Sequence, residues 1–291
     1  MTLLDQNTLT HLQTWEGHSV TVHDLITAAP VRGLAATLDR NDPAPMHHSM
    51  LPPLWHWVYF LPQTRQSEIG PDGHPLRGAF LPPVPYPRRM WAGGRVTWHA
   101  PLRVGEAAHR VSTVKKIHHK QGRSGALLFV LVEHCIHNEQ GLCITEEHDI
   151  VYRPLQTDTP SAPPLLSSPP TAGAWTRQVV PDETLLFRYS ALTFNGHRIH
   201  YDRDYCTQVE GYPGLVVHGP LLATLLMDLV QRHSTHSIAS LSYKALQPCF
   251  ECGDRRAIHL HGQPRAQNAG VDLWIQDAAQ QTHMQATALF H

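Results

Sequence analysis

The segment HGPLLATLLMDLVQRH (218–233) constrains the fold more than any other part of the chain. Leu222, Leu225, Leu226 and Leu229 recur at helical spacing, and Pro220 falls at a favoured first-turn position. Apolar side chains run nearly all round this helix, so it has no face suited to water and has to be wrapped by a sheet rather than laid on one.

The strands for such a wrapping are present, and they come in two sets. TWHAPLRVGEAAHRV (97–111) and SYKALQPCFECGDRRAI (242–258) both run from an aromatic strand start through Pro to Gly plus an acid, then into a new strand. After each comes a long apolar strand, ALLFVLVEH from 126 or VDLWIQD from 271. A turn follows, and then a last alternating strand, LCITEEHDIVYR from 142 or THMQATALFH from 282. Two copies of one antiparallel unit account for this pattern. In the first copy VHDLITAAPVRGLAATLDR (22–40) stands as the counterpart of the leucine-rich helix, made irregular by Pro30 and Gly33. The expected architecture is α+β, a double hotdog in which each unit is a long helix inside a curved antiparallel sheet. Between the copies LQTDTPSAPPLLSSPPTAGA (155–174) reads as an extended connector. The expected division is therefore a degenerate unit over 1–154, the linker, and a catalytic unit over 175–291.

Residues 51–94 are dense in Pro, Gly and aromatics, and their Pro spacing forbids long regular elements. Two readings stay open: an irregular insertion that packs Trp55, Trp57, Tyr59 and Phe60 on the other half, or part of a ligand tunnel with Arg88 and Arg89 reaching an anionic group.

Net charge is −1 with no long block of one sign, which argues against nucleic acid as a partner. No window is long and apolar enough to span a bilayer, and the N-terminus lacks the basic and apolar regions of a signal peptide. Five cysteines without framework spacing point to free thiols in a reducing compartment. A cytoplasmic protein is expected, without membrane association.

The chemistry concentrates in RYSALTFNGHRIHYD (188–202), where alternating strand-like residues at 189–193 run into Phe194, Asn195 and Gly196, with His200 five residues after Asn195. Polar groups at this density need partners and suit the rim of a pocket. Downstream GYPGLVVHG ends where the leucine-rich helix begins, and the N–H of Gly219 suits developing negative charge. A base and an oxyanion donor are thus both available.

YSALTFNGHRIHYD followed by PGLVVHG resembles the motif of the MaoC-like hydratases and dehydratases, which act on acyl thioesters. The whole-chain layout is similar to the type 2 hydroxyacyl-thioester dehydratase and mesaconyl- or itaconyl-CoA hydratase branch. The resemblance implies that His200 is the catalytic histidine, that Asn195 stands at the family's acidic position, and that Gly219 supplies the oxyanion N–H. Asn195 departs from the usual Asp, and His197 and Arg198 stand where the family has Asn and Pro. It further implies reversible addition of water to a short branched or dicarboxylic enoyl-CoA, such as itaconyl- or mesaconyl-CoA, giving citramalyl-CoA. His200 then serves as base and acid while the Asn195 amide oxygen orients the water. Dehydration of 3-hydroxyacyl thioesters in fatty acid synthesis is the alternative, and a catalytically inactive acyl-CoA-binding protein is another. The acyl-CoA is the expected partner, with no separate cofactor, no metal, and a homodimer of double units.

Several other features allow two roles each. His218 is either a second proton carrier or a bond to the backbone at the helix start. His197 and Arg198 either meet a substrate carboxylate or hold their loop. Cys249 and Cys252 form a lone CxxC, expected to be structural. In EEHDIVYR (146–153), Glu146 and His148 should share one face and Glu147 and Asp149 the other, with interface salt bridges between the halves expected. KKIHHKQGR (115–123) reads as a solvated hairpin tip or as a site for coenzyme A phosphates.

Overall fold

The computed structural model describes residues 4–122, 125–154, 173–251 and 257–291. Most of the 155–174 connector, Cys252, and Arg123 at the tip of 115–123 lie outside the described residues. The chain runs α1 (Gln6–Gln13), β1 (Ser19–Leu25), α2 (Ala28–Thr37), β2 (Arg88–Trp98), β3 (Ala107–Gly122), β4 (Gly125–Asn138) and β5 (Gly141–Arg153). It continues through β6 (Trp175–Val179), α3 (Glu183–Thr193), α4 (Gly219–His233), β7 (Ile238–Ala245), β8 (Ile258–Pro264), β9 (Gly270–Gln276) and β10 (Thr282–Phe290). No described helix is long and apolar enough to cross a membrane.

All ten strands join in one antiparallel sheet, in the order β1-β3-β4-β5-β2-β7-β10-β9-β8-β6. Read outward from the β2–β7 seam, the two arms are the same: β2, β5, β4, β3, β1 on one side and β7, β10, β9, β8, β6 on the other. The internal repeat therefore survives as a repeat of strand order, and the seam fuses two hotdog sheets edge to edge, with Gly93 opposite Lys244 and Thr97 opposite Ser240. Pairing at the seam also removes two edges that would otherwise stay open.

Helix α4 fills the second arm. Pro220 occupies its first turn, residues 221–230 are all buried, and the helix packs on β6, β8, β9 and β10. With each enclosed leucine worth about 2 kcal/mol, enclosure outweighs any surface arrangement. The first arm differs from expectation. Residues 22–25 belong to β1, and the helix begins only at Ala28, because Pro30 is tolerated in a first turn but not further in. No long helix fills this arm among the described residues. Its concavity is packed instead by α2 and by the buried turn Trp55–Val58 of the insertion, together with Tyr59 and Phe60.

A second correction concerns 189–193, which is helix and not strand. Asp182 caps α3 by accepting the N–H of Leu185 at 2.8 Å, and Leu186, Tyr189 and Ser190 fall on one buried face at helical spacing. The polar run after them begins where the helix ends, at Phe194 with φ +49°. The salt-bridge expectation for 146–149 is corrected as well. The faces alternate as read, but Arg95 of β2 pairs with Glu147 (2.6 Å) and Asp149 (3.0 Å) of β5, inside the first arm.

One charged group interrupts the buried surface of α4. Asp228 is fully buried and receives Arg40 (2.7 Å) from the segment after α2, Arg177 from β6, and Arg232 (2.7 Å) from its own helix. Arg177 and Arg232 also donate to the Leu38 carbonyl, so this cluster ties the two halves together behind the helix. Asp228→Asn keeps the shape but strips the charge from three guanidinium partners. It should lower the unfolding free energy by about 3 kcal/mol or more, measurable by urea denaturation.

Candidate active site

The site grows from the loop that closes α3. Asn195 N–H returns to the Ser190 carbonyl at 2.8 Å, and the Asn195 side-chain oxygen accepts the N–H of His197 at 3.0 Å. This local turn aims the chain into a tight turn over Arg198–His200. His200 Nδ1 lies 2.7 Å from the carbonyl oxygen of Val216. A carbonyl only accepts, so Nδ1 carries the proton and the Nε2 lone pair is left for chemistry. Nε2 has no hydrogen-bond partner among the described residues.

The His200 ring stacks on His218 with centroids 3.6 Å apart, and His218 is the residue immediately before α4. His218 Nε2 is 2.8 Å from the Ser190 hydroxyl, so its partner is a side chain and not the backbone group that had been expected. Gly219 opens α4, and a Cβ there would fall 2.6 Å from the Trp91 ring, so glycine is what lets Trp91 of β2 pack against the helix start. Its N–H makes no hydrogen bond among the described residues. Base and helix N-terminus are therefore neighbours.

Burial dominates the electrostatics. It lowers the His200 pKa to about 4, against the opposing bond to Val216 and with help from the charge of His74. The ring is therefore neutral across the physiological range. Burial likewise takes His197 to about 2 and holds His218 well below the usual histidine value.

Beside this constellation lies a cavity of about 880 Å³. Asn195, Arg198, Ser190 and Pro220 form one part of its wall, and Trp57, Phe60, His74 and Arg89 come to it from the first half. His200 (7% exposed), His197, His218 and Gly219 lie just behind that wall. The insertion is thus both of the things that had been considered, a core packing unit and a wall of the ligand space. It also clamps the loop that carries Asn195 and His200. Arg198 N–H bonds the Asp72 carbonyl at 2.9 Å, and Gly73, at φ +86°, approaches so closely that a Cβ would sit 1.8 Å from the Gly196 oxygen.

The predicted cations divide. Arg198 is spent within the protein, on Asp202 (2.7 Å), the Pro71 carbonyl (3.0 Å) and the Tyr205 ring, so it holds its loop and is not free to meet a substrate carboxylate. Arg88 binds the Glu210 carbonyl at 2.7 Å and does not reach the cavity. Arg89 does reach it.

One group escaped the sequence reading, and a second was read only as a strand face. Asp72 and His74 form a pair (3.1 Å) whose imidazole packs on His197 with centroids 3.9 Å apart. One ligand atom from each of Asp72, His74 and His197 lies within 4.8 Å of the others, spacing that suits a metal ion. The positive charge of Arg89, which already lowers the pKa of both histidines, opposes a cation there. In the first arm, buried Glu146 binds His148 (2.7 Å), His56 (3.0 Å) and Trp57 (2.7 Å), and His148 faces the cavity. Burial opposes the Glu146 charge, yet the two histidines hold its pKa well below the usual range.

A doubled hotdog sheet with a histidine at the head of the enclosed helix, beside a cavity built by both halves, defines the MaoC-like class of hydratases and dehydratases. The family model for hydroxyacyl-thioester dehydratase type 2 matches residues 54–251. The chain is 48% identical over 273 residues to the mesaconyl-C(4)-CoA hydratase of Chloroflexus aurantiacus, covering 94% of this chain and 95% of that protein. Among solved structures, a MaoC-like dehydratase superposes with a TM-score of 0.71 at 11% identity over 96% of this chain and 99% of that one. A Mycobacterium tuberculosis protein described as a double hotdog superposes with a TM-score of 0.59 at 13% identity, over 97% and 98%. The chain belongs to the hydroxyacyl-thioester dehydratase type 2 family and is a hydro-lyase.

The buried neutral histidines set the acid stability. Their folded pKa values lie below the unfolded value of about 6.5, so between those limits the unfolded chain binds more protons. Stability is then full above about pH 6.5 and falls as the pH drops. His200 and His218 together should remove about 3 kcal/mol between pH 7.5 and 5.5. Urea unfolding at the two pH values checks this, and His200→Gln should show the smaller loss.

Proposed function

We propose that the protein hydrates the double bond of a short dicarboxylic enoyl-CoA, mesaconyl-C4-CoA before itaconyl-CoA, to a citramalyl-CoA. The observation that carries the reading is His200, locked by Val216 in one tautomer and stacked against the head of α4. The relative of nearly full length that is 48% identical supports the acyl group chosen.

The neutral Nε2 takes a proton from water as the water adds to the β-carbon, and the resulting imidazolium, strongly acidic in its buried setting, returns a proton to the α-carbon. A base with a pKa near 4 is weak in the ground state, but it releases the proton readily, which suits a step that must run in both directions. Asn195 lines the cavity with one oxygen lone pair committed to the His197 N–H, and the other is available to direct the water. The Gly219 N–H, at the positive end of α4, stabilises the enolate-like thioester oxygen, a contribution of roughly 3–4 kcal/mol for donors of this kind. Every proton in this scheme is moved by the chain's own groups.

Loss of the conjugated thioester absorbance, followed with mesaconyl-C4-CoA, itaconyl-CoA and crotonyl-CoA, tests the assignment. His200→Ala should lower kcat by about 10³-fold or more, well beyond the 10²-fold at the bottom of the range for acid–base groups, because one ring performs both transfers. Near wild-type turnover in that variant removes the mechanism, and release of free thiol in place of absorbance loss would mark a thioesterase. The acid limb of kcat/KM should fall near pH 4 and not near 6.5.

A further inference from the structure

Arg110 occupies a place where the strand pattern calls for an apolar residue. On β3 its neighbours at every second position, Ala108 and Ser112, are both buried, so its side chain shares the inward face of the sheet. There it lines the same cavity as Ser190, Asn195 and Pro220. One amino group donates to the Phe60 carbonyl at 3.1 Å and the guanidinium lies over the Phe60 ring, but Nε is shut off from water with no hydrogen-bond partner.

Arg110 makes no ion pair among the described residues, and its nearest carboxylates are already committed. Glu146 is held by His56, His148 and Trp57, while Asp24 accepts the Phe60 N–H at 2.7 Å. Both act on Arg110 only from a distance, and burial, the larger effect, works against its charge. A guanidinium cannot escape that cost by losing its proton. The other arginines on the cavity are less suited. Arg198 is bound to Asp202, and the charge of Arg89 acts on the neighbouring His74 and His197. An unsatisfied planar fork in an aromatic wall is complementary to one kind of group, a carboxylate held through two parallel hydrogen bonds.

We infer that Arg110 binds the free carboxylate of the acyl group, making this cavity selective for CoA thioesters of short dicarboxylic acids. The inference rests on the thioester reading above and assigns the anion subsite to the first half, away from the Arg198 and His197 pair that the sequence suggested. The chemistry is then divided between the arms: the second supplies the proton carrier and the first reads the far end of the substrate.

The test uses two unreactive ligands of similar length, succinyl-CoA and butyryl-CoA, which differ in the terminal carboxylate. Calorimetric titration of wild type should show succinyl-CoA binding tighter by about 30-fold or more, the scale for a buried, hydrogen-bonded charge pair. Arg110→Gln should abolish that preference and leave butyryl-CoA within about threefold of wild type, by the same reasoning. Equal binding of the two ligands by wild type overturns the proposal, as does a preference that survives in Arg110→Gln. If Arg110→Gln fails to fold, the wild-type comparison still decides, and Arg110→Lys, which keeps the charge and loses the fork, should show a reduced preference; an undiminished one overturns the proposal. The hydratase reading fails separately: wild type that prefers succinyl-CoA but turns over no enoyl-CoA keeps the anchor and loses the reaction.

Discussion

Everything in this molecule is arranged around a helix that has no side for water. Ten consecutive buried residues in α4 demand cover on all sides, and a strongly curved antiparallel sheet provides it. Enclosure leaves only the ends of the helix accessible. Its C-terminal part is tied through Asp228 to arginines from both halves, and its N-terminus lies at the ligand space, where Pro220 forms part of the wall. The positive end of the helix dipole is thus presented to the cavity by the same packing that stabilises the fold.

The catalytic loop depends on both halves. Its chemistry lies in the second, where Val216 sets the His200 tautomer and His218 supports the ring. Its position is set by the first, whose insertion presses Gly73 against Gly196 and bonds Asp72 to Arg198. Degeneration of the first unit has a physical consequence here. Without a long helix to enclose, its concavity admits the aromatics of the insertion, and those aromatics make the cavity wall.

Much of this was legible in the chain. The leucine spacing located α4 to within a residue or so, and the paired motifs at 97–111 and 242–258 became the corresponding strands β2 to β3 and β7 to β8. His200 lies against His218 at the helix start, and Asn195 lines the same cavity as Pro220. The run at 189–193 was misread because alternation and helical spacing coincide over so few residues, and the deciding signal was the Asp182 cap upstream. The sequence left Arg198 open between a substrate carboxylate and its own loop, and its pairing with Asp202, four residues on, decides for the loop. Arg110 carried a usable signal that was missed, a charge at an inward position between Ala108 and Ser112.

Periodicity and local turn chemistry act over a few residues, so the sequence alone determined the enclosed helix, the doubled strand set and the base beside a helix start. It also determined the polar loop after α3, because the Asn195 side chain accepts the His197 N–H and so holds the turn locally. Only the tertiary structure decided the seam between β2 and β7, the reach of residues 70–75 across to the loop that carries Asn195 and His200, the low pKa of His200 and the placing of Arg110 in the cavity wall. Each of these is a matter of which distant groups exclude water from one another, and burial is a property of the assembled chain.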